Sequence, residues 1–125
     1  MKNGITILSI LLIVVVTLLT SCSKDEIETN QNELLGTWIS TDKSDTLYFV
    51  NIKDFYRSNG HMVYDHFDYK LFKDSIEIGY SGKMYILVMP TMHKYSLDKG
   101  KLTIDFGNKR CYGFDLKEMT YTKEK

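Results

Sequence analysis

The chain is poor in the features that most readily announce a function. Its 125 residues include one proline, Pro90, and two cysteines, Cys22 and Cys111. The 16 basic residues are matched by 16 acidic ones, so the cationic excess that draws a protein to a phosphate backbone is missing and no nucleic-acid partner is expected. Gly79-Tyr80-Ser81-Gly82-Lys83 lacks the spacing of a phosphate loop and precedes a strand rather than a helix. No nucleophile elbow, Ser/His/Asp order or Cys/His pair is present, so neither an enzyme nor a cofactor is expected. His61, His66 and His93 are scattered far from zinc spacing. His66 and Asp68 share a strand face, but two ligands make no site and Lys70 beside them repels a cation, so no metal is expected either. No internal repeat is visible.

The apolar runs are short as well. Residues 5–20 are sixteen without a charge, below the roughly 20 that span a bilayer as a helix. Preceded by Lys2, they read as the basic and apolar regions of a secretory signal. The run ends in Leu19-Thr20-Ser21-Cys22, which resembles a bacterial lipobox: an apolar residue, two small ones, then the cysteine before which a signal peptidase cuts. The resemblance implies a diacylglyceryl group on the Cys22 thiol, and two acyl chains anchor stably where one would not. The alternative is an uncleaved membrane helix with an incidental cysteine. On the lipoprotein reading, residues 1–21 are a signal peptide, and their removal from 125 leaves 104, enough for one small domain.

Residues 22–32 show neither strand nor helix period and read as a polar tether. Cysteine followed by Ser23-Lys24-Asp25-Glu26 resembles the lipoprotein export signal of Bacteroidota, which implies an outer-membrane protein held by its lipid and displayed at the cell surface. With Cys22 acylated, Cys111 has no partner for an intrachain disulfide and reads as a small buried hydrophobe.

From Glu33 to Lys125 the sequence reads as one all-β domain. All sixteen aromatic residues fall after the leader, ample for a core. Period-two alternation broken by turn residues predicts strands over Gly36–Thr41, Thr46–Ile52, Asp54–Ser58, Met62–Phe72, Ser75–Tyr80, Met84–Met89 carrying on past Pro90 as Thr91–Leu97, and Lys101–Phe106, with one or two more over Arg110–Thr122. Asn59-Gly60 and Asp98-Lys99-Gly100 are hairpin turns, the latter with Gly100 at positive φ. Pro90 must sit at a bulge, edge or corner. Eight or nine strands joined by tight turns predict a small antiparallel up-and-down barrel, eight-stranded, which closes away its exposed edges.

Glu33-Leu34-Leu35-Gly36-Thr37-Trp38 places Gly-x-Trp on the first strand and resembles the opening of lipocalin-like (calycin) barrels. The resemblance implies that Trp38 closes one barrel end and that Gly36 lets the chain bend. Two features depart from lipocalins proper: the chain is too short for their C-terminal helix, and the late arginine they pack over the tryptophan has no counterpart except Arg110, at the start of the last strand. The closer likeness is to short lipocalin-like lipoproteins of Bacteroidota.

Such a barrel is either filled by side chains or holds one small ligand. Candidate lining residues are Trp38, Phe49, Phe55, Arg57, Phe67, Tyr69, Tyr80 and Phe106; tyrosines pair flat apolar area with an orienting hydroxyl. Arg57 shares the face of Phe55: buried, it needs a carboxylate partner or an anionic head group; exposed, as arginines usually are, it has no such role. The expected function is capture of a small, mostly apolar or amphiphilic ligand. The alternative is a filled barrel whose loops bind a protein or glycan.

Overall fold

Alternating side chains make these segments strands, and successive short turns make each strand pair with the next. A computed structural model describes residues 26–59, 62–84 and 86–125, with the backbone alone at 62–64. The strands are β1 (Gly36–Ser40), β2 (Asp45–Phe49), β3 (Asp54–Asn59), β4 (Met62–Leu71), β5 (Ser75–Tyr80), β6 (Thr91–Asp98), β7 (Lys101–Asp105) and β8 (Glu118–Lys123). Each is antiparallel to its sequence neighbour, and β8 returns to pair with β1 through Trp38↔Lys123, Ile39↔Thr122 and Ser40↔Tyr121. The result is a closed eight-stranded up-and-down barrel without a free edge. The leader at residues 1–21, Cys22, Gly60 and the side chain of Val63 lie outside the described residues.

Period two decides which side chains enter. Phe67, Tyr69 and Leu71 of β4 are buried while Asp68 and Lys70 are exposed; Ile76 with Ile78, and Leu102 with Ile104, do the same on β5 and β7. The Lys99-Gly100 hairpin has both residues at positive φ, 48° and 76°, with Asp98 opposite Lys101, as a two-residue turn matched to strand twist requires.

Four segments depart from the sequence reading. Residues 26–34 form a helix, α1, although 22–32 reads as an irregular tether. Its apolar stripe is only Ile27 and Leu34, seven residues apart, too thin to register as a period; docking on the barrel supplies the stability. The segment Met84–Met89, apolar on both faces, is not a strand at its described positions: Ile86–Pro90 cross between β5 and β6 as an exposed loop. With β5 already paired to β6, no edge is left for it to join. The run Arg110–Thr122 is a loop over residues 106–117 followed by one strand, and β2 stops at Phe49, leaving Val50 and Ile52 exposed.

Connections alternate between the two barrel ends. One end carries loops 50–53, 72–74 and 99–100 together with α1; the other carries loops 41–44, 81–90 and 106–117. At the helix end, Leu34 is fully buried, and its carbonyl accepts the Trp38 indole N–H at 2.7 Å. Gly36, at φ 117°, makes the bend between helix and strand, where a Cβ would press on Lys123 Cε at 3.3 Å. Lys123 donates to the Glu33 carbonyl at 2.6 Å, its Nζ 5.6 Å from the centre of the Trp38 ring. Asn30 donates to the Tyr95 hydroxyl at 3.1 Å, which donates in turn to the Phe72 carbonyl at 3.2 Å.

Candidate functional site

The inward aromatic residues pack on one another. Phe49 stacks on Phe55 at 4.9 Å between ring centres, Phe55 on Phe67 at 5.1 Å, and Tyr69 meets Phe49 edge-on at 5.1 Å. The Tyr69 hydroxyl donates to the Asn51 carbonyl at 2.8 Å, and burial pushes its pKa up to about 12, with the Asp54 carboxylate adding to the shift. Trp38, Phe49, Phe55, Phe67, Tyr69 and Phe106 are all in the core, as period two predicts. Tyr80 is different: half-buried at the rim, it lies between Phe67 and Tyr112, 5.5 and 4.6 Å away.

Arg57 is buried, and the sequence alternative that required a partner is the one realised. It is 8% exposed and donates through Nε to Asp45 Oδ1 at 2.8 Å; Asp45 is 3% exposed. The other Asp45 oxygen accepts from the Tyr121 hydroxyl at 2.8 Å. Burial drives the Tyr121 pKa upward, and the adjacent Asp45 carboxylate drives it further. A carboxylate taken from water needs such donors on both oxygens.

Arg57 also clasps the long loop 106–117. Its Nη1 donates to the Gly113 carbonyl, and its guanidinium lies 4.0 Å from the centre of the Phe114 ring. Gly113, at φ 82°, turns its carbonyl inward; a Cβ there would lie 3.3 Å from that same guanidinium nitrogen. Phe114 then stacks on Phe106 at 4.4 Å and contacts Phe67 at 5.5 Å, stoppering this end of the barrel as α1 stoppers the other.

Beside the stopper lies a half-open cleft of about 390 Å³, lined by Lys43, Ser44, Asp45, Arg57, Asn59, Phe114, Asp115, Lys117 and Met119. Loop 41–44 forms one wall and is held by Asp42, whose carboxylate accepts from the Ser44 hydroxyl at 2.6 Å, the Ser44 amide at 3.1 Å and the Ser40 hydroxyl at 2.7 Å. Those bonds, the Ser44 hydroxyl foremost, lower the Asp42 pKa to about 2.

Two further polar groups sit near the same end. His93 is buried against Phe106, its Nε2 2.7 Å from the Thr91 hydroxyl and its Nδ1 without a partner of hydrogen-bonding geometry among the described residues. Burial lowers its pKa; the nearby Asp105 partly opposes this and Lys109 adds to it. Thr91 also engages the buried Cys111 thiol, whose pKa burial raises. On the outer wall, His66 pairs with Asp54 at 2.9 Å while Asp68 takes the Ser81 hydroxyl at 2.5 Å, so the two residues sharing that strand face have separate partners.

Sequence reasoning passed over Asp45, Tyr121 and Phe114. A signal for Asp45 existed, since it has the parity of Leu47 and Phe49 and so must face inward with them. Nothing local marks Tyr121 as the partner of Asp45, or Phe114 as the ring against Arg57. No protein-family model, curated protein or solved structure matches this chain.

Proposed function

We propose that this chain is a lipid-anchored, non-enzymatic binding protein in which a packed lipocalin-like barrel acts as a rigid stand and its 41–44, 81–90 and 106–117 loops as the recognition surface. The observation that carries the reading is the packed interior: the Phe49–Phe55–Phe67 stack would have to part before an apolar ligand entered, and Phe114 stands over it. This favours recognition of a partner at the rim, a protein, glycan or small amphiphile, over storage of an apolar cargo within.

The anchoring half of the reading rests on Leu19-Thr20-Ser21-Cys22, with display on the outer membrane following from the residues after it. Helix α1 begins the described chain at the end opposite these loops, so a lipid on Cys22 would hold the helix end toward the membrane and turn the loops outward. Lys123 over Trp38 fits the lipocalin likeness, doing with a lysine what those barrels do with a late arginine; Arg110, the arginine considered for that role, is exposed in loop 106–117 at the other end.

Two measurements test this. Cells expressing the full chain should incorporate radiolabelled palmitate, and Cys22→Ala should abolish incorporation. A photo-crosslinking residue at Leu87 or Lys109 should capture a partner that the same residue at Lys53 does not. A soluble 23–125 fragment carrying stoichiometric apolar cargo in native mass spectrometry would overturn the packed-stand reading.

A further inference from the structure

We infer that the cleft beside Phe114 is a binding site for a small anion, a carboxylate or phosphate monoester carried on a short apolar stem. The inference deepens the reading of the loop end as the recognition surface and rests on it. Three cationic side chains line the cleft, Lys43, Arg57 and Lys117, against two acidic ones, Asp45 and Asp115. Asp45 is already committed, one oxygen to Arg57 and the other to Tyr121. Asp45 and Arg57 offset one another within the wall, so the excess that meets an incoming anion is that of Lys43 and Lys117 over Asp115.

The cationic wall is built rather than incidental. Arg57 is more than nine-tenths buried, and its guanidinium is fixed in the barrel wall by Asp45, the Gly113 carbonyl and the Phe114 ring. A guanidinium set in that way loses little freedom when an anion arrives, and with Nε on Asp45 and one Nη1 hydrogen on Gly113 it is the other Nη hydrogens that it can offer to an oxygen. Partial enclosure strengthens the attraction relative to open water. Lys43 and Lys117 stand at the mouth, Lys43 on the loop that Asp42 braces. Asp42 also feels Lys117, so part of that lysine's charge is shared with the neighbouring acid. Phe114 and Met119 supply the apolar lining, and a cleft of about 390 Å³ suits a head group with a stem of several carbons.

The test is titration of the ¹⁵N-labelled 23–125 domain with hexanoate, hexyl phosphate and hexanol, followed by amide shifts. Saturable shifts at Lys43–Asp45 and Gly113–Lys117 are expected for at least one anion, with binding at least ~10-fold weaker for hexanol, a difference of about 1.4 kcal/mol. Lys43→Ala/Lys117→Ala should weaken anion binding by a similar factor and leave the spectrum of the barrel strands unchanged. Lys99→Ala/Lys101→Ala, at the helix end, should not weaken it. No saturation up to ~10 mM of either anion would overturn the inference, as would equal binding of hexanol or shifts mapping elsewhere. Such a failure leaves the recognition-surface reading standing, because partner capture from Leu87 or Lys109 measures that reading separately.

Discussion

Asp45 and Arg57, twelve residues apart in sequence, meet inside the barrel wall with Nε 2.8 Å from Oδ1 and both side chains withdrawn from water. The antiparallel pairing of β2 with β3 puts Leu47 opposite Arg57 and Asn59 opposite Asp45, so the ion pair runs diagonally across the ladder. Removing one partner strands a buried charge, which in comparable sites costs about 3–5 kcal/mol. Asp45→Ala and Arg57→Ala should each lose that much in urea unfolding, and the double variant less than their sum. Tyr121→Phe deletes one donor to Asp45 and should cost about 1–3 kcal/mol.

Acid should weaken the fold through His93. Burial holds its folded pKa below the ordinary value of 6.5, so the unfolded chain takes up a proton that the folded chain refuses. The groups acting on it are Asp105 and Lys109, with Thr91 at its Nε2. Above about pH 6.5 both states are neutral and nothing is lost; stability then declines as pH falls below 6.5 toward the lowered folded value. Urea midpoints from pH 7.5 to 5 should show that decline, and His93→Gln should flatten it.

Cys111 should be chemically silent in the folded protein. It is 4% exposed, and burial raises the pKa of its thiol, which disfavours the reactive thiolate. With the 23–125 domain, Ellman's reagent at pH 8 should react slowly under native conditions and with one equivalent at once in guanidinium. Rapid native reaction would mean that loop 106–117 opens readily.

The helix end should depend on one hydrogen bond and one leucine. Leu34→Ala removes a fully buried side chain and should cost about 2–5 kcal/mol. Trp38→Phe leaves the Leu34 carbonyl without its indole donor. Each should speed proteolysis within residues 26–34 relative to the barrel, since α1 is held by docking rather than by its own propensity.

Leu87 is 96% exposed between β5 and β6, where Met84, Ile86 and Met89 are exposed as well. Leu87→Asp should leave the unfolding free energy from urea titration within about 0.5 kcal/mol of the parent. It should reduce binding of a hydrophobic dye, because clustered exposed apolar side chains are what such dyes report.

Sequence periodicity was enough to determine an all-β chain with inward Phe67, Tyr69, Leu71, Leu102, Ile104 and Phe106, because strand geometry alternates side chains whatever lies across the sheet. Tight turns between neighbouring runs were enough to order the strands, and the cost of free edges was enough to close them. The same rule misread Met84–Met89: alternation and β propensity are local, whereas becoming a strand needs a partner, and β5 and β6 had taken each other. Residues 26–34 failed the other way, since two apolar side chains make no visible stripe until the barrel end gives them something to cover.

What only the tertiary structure decided is the meaning of Arg57. Its parity with Phe55 turned it inward, but whether that position is a liability or a site depended on Asp45 from β2, Tyr121 from β8 and Gly113 and Phe114 from the last loop. Those groups span 76 positions of sequence between Asp45 and Tyr121. No local pattern brings them together; closure of β8 onto β1 does, and with it the cleft beside Phe114.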